Sequence, residues 1–345
     1  MKIIYAGARF ENYNFRRRQS FEYVNFFLTL SSLPGVEVIE LPFDHILEIG
    51  KERFNRELLD TAKQGKPDLF FVFMYTDELL PSTLETLRQM GVPTLAWFAD
   101  DYWRFWNYSK HWAPLFSYAV TTSPQALGWY AHSDIHNVIG SQWACNTAQY
   151  GPRPMNQDID VSFVGQYKPG RGRIVQMLER QGIAVQAYGF GWPRGGVSHE
   201  EMLQIFSRSR INLNLNERPS RFEARVLARL FLRKSIDRLV LSPHLVENAQ
   251  AWWHFSVPHT HARPFELAGC GAFVISGKSA NIKQYYVPGQ EMEFYETPEE
   301  LVKKVRYYLD HTEQRKQIAK AGYERTIRDH TYEKRFREIF SRIGV

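Results

Sequence analysis

The stretch His261–Ile275, HARPFELAGCGAFVI, decides how the rest of the chain is read. Pro264 suits the first turn of a helix, where its missing N–H would have no partner anyway. A short helix is predicted to run to about Ala268, with Gly269-Cys270-Gly271 as its stop. Ala272–Ile275 is apolar and follows glycine, the pattern of a buried strand. Arg263 and Glu266 are three residues apart, so both lie on one side of the helix start. A helix N-terminus offers free N–H groups and the positive end of the dipole, which suit a phosphate, and Arg263 adds a fork of donors. Glu266 can accept from the two hydroxyls of a ribose. Phosphate beside diol reads as a nucleoside diphosphate. The alternative is that Glu266 caps its own helix and Arg263 pairs with it.

Working outward, strands are expected at Lys2–Ala6, Val36–Leu41, Asp68–Tyr75, Thr94–Phe98 and Tyr118–Thr122, separated by helical stretches. Such alternation implies a doubly wound parallel sheet, with ligands at the carboxyl ends of the strands. Gly7 ends the first strand. The helix after it is expected to start around Arg16-Arg17-Arg18 and to bury Phe21, Val24, Phe27 and Leu28. After Thr94–Phe98 comes ADDYWRFWNYSKHW, residues 99–112. Asp100 and Asp101 leave that strand toward a crevice, where a carboxylate can act as general base. Trp103 and Trp106 offer flat rings for a sugar, although bunched aromatics also pack cores.

A polar linker at Ala148–Asp158 precedes a second alternation that begins with Asp160–Val164. Gly165, Lys168, Arg171 and Arg173 then form a glycine-bearing, cationic turn into a helix, a reasonable cradle for a diphosphate. Tyr188 ends the next strand. Asn212 and Asn214 alternate along INLNL and could read a base or a sugar. Between Asn216 and Thr260 lies an insert in which Phe222–Leu241 reads as a basic amphipathic helix, fit for a membrane surface, an anionic acceptor, a dimer contact or a lid. Thr297-Pro298-Glu299-Glu300 is a strong helix start.

A length of 345 residues fits two domains. The division expected is 1–150, then 151–330 with an insert at 217–258, then a closing helix at 331–345. The net charge of +6 favours an anionic partner, but no long Lys/Arg block demands nucleic acid. Cys145 and Cys270 have no metal-like or redox spacing, so a reducing, cytoplasmic setting is expected. The N-terminus turns polar too early for a secretory signal, and no apolar run approaches the ~20 residues of a membrane span. There is no Asp-x-Asp, the histidines are scattered, and no metal or cofactor is expected.

The Arg-x-x-Glu spacing, the Gly-Cys-Gly break and the apolar strand resemble the donor-site helix of GT-B glycosyltransferases. The pattern is most similar to the CgeB-like, spore-maturation type of the glycosyltransferase-1 superfamily. The resemblance extends over about 100–345 and is most specific at 261–275 and 297–336. It implies an α/β GT-B fold: two Rossmann-like doubly wound domains facing a cleft, with a C-terminal helix crossing back to the first. It implies a glycosyltransferase that moves a sugar from a nucleoside diphosphate sugar, UDP- or dTDP-linked, to an acceptor hydroxyl. Glu266 would hold the ribose and Arg263 the diphosphate, with Gly165, Lys168, Arg171, Arg173, Tyr188, Asn212, Asn214 and Phe265 around the donor. Asp100 would be the base with Asp101 as its understudy, and Gly7, Arg16, Trp103 and Trp106 would lie on the acceptor side. The acceptor would be a carbohydrate, glycolipid or protein, met in the cytoplasm; the basic insert lies outside the resemblance, and its own composition would allow peripheral contact at the inner face of the membrane. Many relatives carry a further Glu seven residues before the ribose Glu, where this chain has His259. An inverting reaction follows from that departure and from Asp100, and a metal-independent one from the absent Asp-x-Asp and the scattered histidines. The same spacing also resembles bacteriophage DNA β-glucosyltransferase, so a DNA-modifying enzyme is one alternative. A non-catalytic nucleotide- or sugar-binding protein on the same fold is the other.

Overall fold

The computed structural model describes residues 1–216, 220–279 and 281–345. The chain divides into two units. The first comprises Met1–Gln142, Pro219–Val257 and Tyr332–Val345; the second comprises Trp143–Arg218 and Pro258–Thr331.

The first unit is built on strands β1 (Lys2–Gly7), β2 (Glu37–Pro42), β3 (Leu69–Val72), β4 (Thr94–Phe98), β5 (Tyr118–Thr121) and β6 (Val138–Gly140). They form a parallel sheet in the order β2-β1-β3-β4-β5-β6. β3 and β4 are buried along their whole length, which is why LFFV and TLAWF read as continuous apolar runs. The strand order reverses between β1 and β3, and a crevice opens outside their carboxyl ends at such a point.

The helical segment 21–32 contains a π turn at Tyr23–Phe27. An unbroken helical period would bury Phe21, Val24, Phe27 and Leu28. The buried set is instead Glu22, Asn25, Phe26, Thr29 and Leu30, the same helical period set about one position further along. Arg16 and its neighbours lie before this helix in an exposed turn rather than at its start. Phe26 packs its ring within 4.8–6.1 Å of Phe71, Phe73, Trp97, Tyr332 and Phe336. Two of those rings come from the last helix, Tyr332–Ile343, which is thereby part of the first unit.

The second unit begins with β7 (Ile159–Val164), β8 (Val185–Tyr188) and β9 (Ser209–Asn214). The chain then returns to the first unit and makes an antiparallel hairpin of β10 (Leu232–Ser235) and β11 (Arg238–Leu241). It re-enters the second unit for β12 (Val274–Gly277) and β13 (Glu293–Tyr295). The second sheet is parallel in the order β13-β12-β9-β7-β8, reversing between β7 and β9. Its helices start as their caps dictate: Ser198 and Glu201 make a full capping box, and Thr297 Oγ1 accepts from Glu300 N at 3.2 Å.

The insert corrects two expectations. Phe222–Leu241 is not one helix: only Ala224–Ala228 is helical, and the hairpin follows. Arginines at every fourth position imitate a helix face, but Leu239-Val240-Leu241 favours a strand and Ile236 turns the chain at φ 51°. Nor does the insert join the second domain. Asp77 accepts from Ser235 Oγ at 3.0 Å, Thr76 Oγ1 accepts from Ile236 N at 2.9 Å, and Asn107 donates to Asn248 at 2.9 Å. These bonds tie 220–257 to the first unit; the opening residues of the expected insert, 217–219, lie outside the described residues.

Candidate functional site

In the second unit, chemistry gathers where the strand order reverses. Gly165 leaves β7 with its N–H on the Tyr188 carbonyl at 2.9 Å, and its own carbonyl accepts from Trp192 Nε1 at 2.8 Å. Gly189, opposite, has φ 128°, and a Cβ there would stand 2.3 Å from the Gly165 carbonyl oxygen. Only glycine fits this close approach. Helix Pro169–Arg180 begins directly after, with Lys168 at its N-cap and proline at its first position. Arg171, in its first turn, donates from Nη1 to the Gln166 carbonyl at 2.8 Å and from Nε to the Leu215 carbonyl at 3.1 Å. One guanidinium thus spans the ends of β7 and β9. Asn216 holds the neighbouring loops by donating to the carbonyls of His259 at 3.1 Å and Lys278 at 3.0 Å.

Into this crevice come His261, Arg263 and Glu266. Arg263 Nη1 lies 2.8 Å from Glu266 Oε2, and its guanidinium sits 5.3 Å over the Phe206 ring. Glu266 is buried and also hydrogen-bonded by the Tyr150 hydroxyl. The local pairing of Arg263 with Glu266 is therefore present, and Glu266 does not cap the helix. His261 is pushed down to about 4, first by desolvation and then by the charges of Arg171, Lys168 and Arg263. At neutral pH its imidazole is uncharged, and it stands within the field of three cations. That arrangement suits an anion with several oxygens. The residue types in it came from three separate stretches of sequence. In the sequence His261 carries no signal of its own, being a lone histidine two positions before an arginine.

Several residues expected on the donor side are engaged in internal contacts. Phe265 is fully buried among Tyr285, Tyr286 and His330, each ring 5.6 Å away, so it is core. Asn212 spends its amide inside the sheet, accepting from Ser162 and donating to the Phe206 carbonyl. Asn214 donates to Ser276 Oγ at 2.9 Å across β9 and β12. Tyr188 ends the edge strand β8 and bonds Gln186 at 2.6 Å, one strand away from the reversal. Arg173 lies on the exposed side of its helix.

In the first unit, Asp100 follows β4 at the N-terminus of helix Asp101–Arg104 without capping it. Its carboxyl is pushed up by burial, while Arg104 and Arg229 pull it back. Asp101, expected as an alternative base, is fully buried and accepts from the Tyr130 hydroxyl at 2.9 Å. Trp103 lies under the Arg229 guanidinium at 4.6 Å and meets Phe255 edge to face at 5.4 Å. Trp106 is packing, held between His254 at 5.7 Å and Trp129 at 5.4 Å. Gly7 ends β1 beneath the Tyr5 hydroxyl, which bonds the Glu22 carbonyl at 3.2 Å. Arg16 is exposed over the ring of Phe15. Two residues near this crevice were not foreseen. Arg229 arrives from the insert, and only its placement in the first unit reveals it. Glu22 is buried near the end of β1, its carboxyl pushed up to about 7 chiefly by desolvation. Tyr75 feels both Asp100 and Glu22. Among the described residues no group of three or more His, Cys, Asp or Glu side chains is placed to hold a metal ion.

Two parallel sheets, a reversal in each, and a closing helix on the first unit match known structures over their whole length. HepE from Anabaena in complex with UDP-glucose aligns with 100% of this chain and 99% of its own, at TM-score 0.62 and 11% identity. The glycosyltransferase from Rickettsia africae aligns over 99% and 97%, at 0.60 and 9%. Sucrose-phosphate synthase from Thermosynechococcus elongatus aligns over 100% and 99%, at 0.58 and 10%. The fold is GT-B. Residues 171–341 match the family described as glycosyl transferase-like, so the GT-B chain carries a glycosyltransferase sequence pattern over its second half. No curated protein matches the chain. Arg171, Arg229, Arg263 and Glu266 fall inside the matched span; Lys168, Asp100 and Glu22 precede it.

Proposed function

We propose that the protein is a glycosyltransferase of CgeB-like type that uses a nucleoside diphosphate sugar, with UDP or dTDP as the nucleotide. The observation that carries this is the convergence of Lys168, Arg171 and Arg263 around His261 at the β7/β9 reversal. A diphosphate leaving group gains negative charge as the glycosidic bond breaks, and preorganised cations and helix N–H groups meet that charge. Glu266, already oriented by Tyr150 and Arg263, would take the ribose hydroxyls. HepE supports a uracil nucleotide, since it is described with UDP-glucose and with UDP.

Asp100 would take the proton from the acceptor hydroxyl. The acceptor oxygen then bonds to the anomeric carbon, and the carbon–oxygen bond to the diphosphate breaks with its electrons on the nucleotide. A desolvated carboxylate is a stronger base than one in water, which suits this role. Direct attack inverts the anomeric centre. The three side-chain cations supply the countercharge that a metal provides in other transferases, so turnover is expected to persist in EDTA.

The test is calorimetric titration with UDP, dTDP, GDP and CDP, alone and sugar-linked, followed by donor-consumption assays. One family of nucleotides should bind, and Lys168→Ala should weaken it by about tenfold. Wild-type affinity in both Lys168→Ala and Glu266→Gln would remove the donor site from this crevice. Binding without any donor consumption would leave a nucleotide-binding protein instead of an enzyme.

A further inference from the structure

Segment 220–257 carries a surface that the proposed transfer does not use. Arg229 turns inward onto Trp103 and Arg233 onto Asp77, which leaves Arg221, Arg225 and Arg238 on the outside against Glu223 and Asp237. Large apolar side chains stand out among them: Phe222 is 74% exposed, Leu239 72%, Leu241 79%, Val246 75% and Trp253 63%. Leu239 and Leu241 are two apart on β11 and leave the same face of the hairpin. Arg233 and Ser235, on the other face, reach Asp77 and fasten the hairpin to the first unit. On helix Leu245–His254, Val246 and Trp253 are two turns apart and so share one side. The guanidinium of Arg221 covers the Trp253 ring at 4.5 Å, while Arg225 and Arg238 are exposed and pair with Glu223 at 3.0 Å and Asp237 at 3.7 Å.

Exposed large apolar side chains on a soluble protein usually stand singly. Here they recur along one short segment, interleaved with cations. Leucine, tryptophan and arginine in that mixture match the depth profile of a lipid interface, with apolar tips among the acyl chains and guanidinium groups at the phosphates. Charge decides the occupant. Two copies packed on this segment would set arginines against arginines, which costs affinity. An anionic bilayer complements both features. Among the described residues no helix is long and apolar enough to cross a membrane, so the contact would be peripheral.

We propose that segment 220–257 docks the protein on the surface of an anionic lipid bilayer. The full-length protein is floated with vesicles of pure phosphatidylcholine and with vesicles containing about one-third phosphatidylglycerol. It should float with the anionic vesicles, and high salt should reduce recovery. Leu239→Asp/Leu241→Asp and, separately, Arg225→Ala/Arg238→Ala should each weaken vesicle binding about tenfold. All four side chains are exposed, and unchanged melting temperatures would show that the variants fold. The proposal is overturned if the wild type does not float, if both double variants float as well as it does, or if light scattering shows a dimer that Leu239→Asp/Leu241→Asp dissolves. The last result would give the surface to a second copy.

Discussion

Arg263 and Glu266 hold each other at 2.8 Å across one helical turn, with Glu266 buried and Arg263 at the rim. Each group that would grip a donor is thus held by the other beforehand. A pair fixed in this way loses little freedom when a ligand arrives, which favours affinity. It also means that removing one partner strands the other.

Glu266→Ala should therefore do two things. It should weaken nucleotide binding strongly, and it should destabilise the fold by about 1–3 kcal/mol, because Tyr150 and Arg263 both lose an acceptor. Glu266→Gln keeps an acceptor and should recover most of the stability but not the affinity. Urea unfolding and calorimetric titration separate the two effects.

Binding of a diphosphate should change the protonation of His261. Desolvation first, and then the charges of Arg171, Lys168 and Arg263, hold it down at about 4 against an ordinary 6.5. A bound polyanion reverses that field and raises the imidazole, so the complex should take up a proton on forming between about pH 4 and 6.5. Titration with UDP in buffers of different ionisation enthalpy reads that uptake directly. His261→Ala should abolish it. In the free protein the sign for stability is the opposite. As pH falls through 6.5 the unfolded chain binds a proton that the folded one refuses until about 4, so folding weakens across that window.

Glu22 should act in the other direction. Its carboxyl is pushed up to about 7 from 4.5 in the unfolded chain. Both states are protonated below 4.5. Between 4.5 and 7 only the unfolded chain ionises freely, so stability is lost as pH rises. Glu22→Gln should leave the melting temperature unchanged at pH 4 and raise it at pH 8. A thermal series across that range checks this.

Asp100→Asn should keep nucleotide binding while lowering transfer by about 10²–10⁴-fold. Turnover near that of the wild type would remove Asp100 from the reaction. Asp101→Asn should instead lower stability with little effect on the remaining activity per folded molecule, because Asp101 is an internal partner of Tyr130.

Gly189→Ala should cost about 3 kcal/mol or more, since both its φ of 128° and the Gly165 carbonyl oppose a side chain. Because that carbonyl belongs to the turn leading to Lys168, donor affinity should fall with stability.

What could be read from the sequence was what depends on neighbours along the chain. β3 and β4 announce themselves because both their faces are covered, and helix Pro298–Asp310 because Thr297, Pro298 and Glu300 stand together. Arg263 and Glu266 were legible as a pair because one helical turn separates them. What failed depended on distant partners. Phe265 sits next to Glu266 but is claimed by Tyr285, Tyr286 and His330. Asn212 looked outward until Ser162 and Phe206 were placed beside it. The insert kept a helical spacing of arginines while its leucines and Ile236 chose a hairpin. Arg229 could be assigned to Asp100 only after that hairpin was seen to return to the first unit.

The packing of Phe336 on Phe26, Phe71 and Trp97 has a consequence for synthesis. Those three side chains leave the ribosome before the second unit, and the ring that covers them leaves after it. A nascent first unit must wait, with that apolar surface uncovered, while the whole second unit is translated and folds. Cutting the gene after Gln142 would leave that surface bare for good, so truncated forms should aggregate, whereas supplying Tyr332–Val345 through a linker should restore a soluble domain.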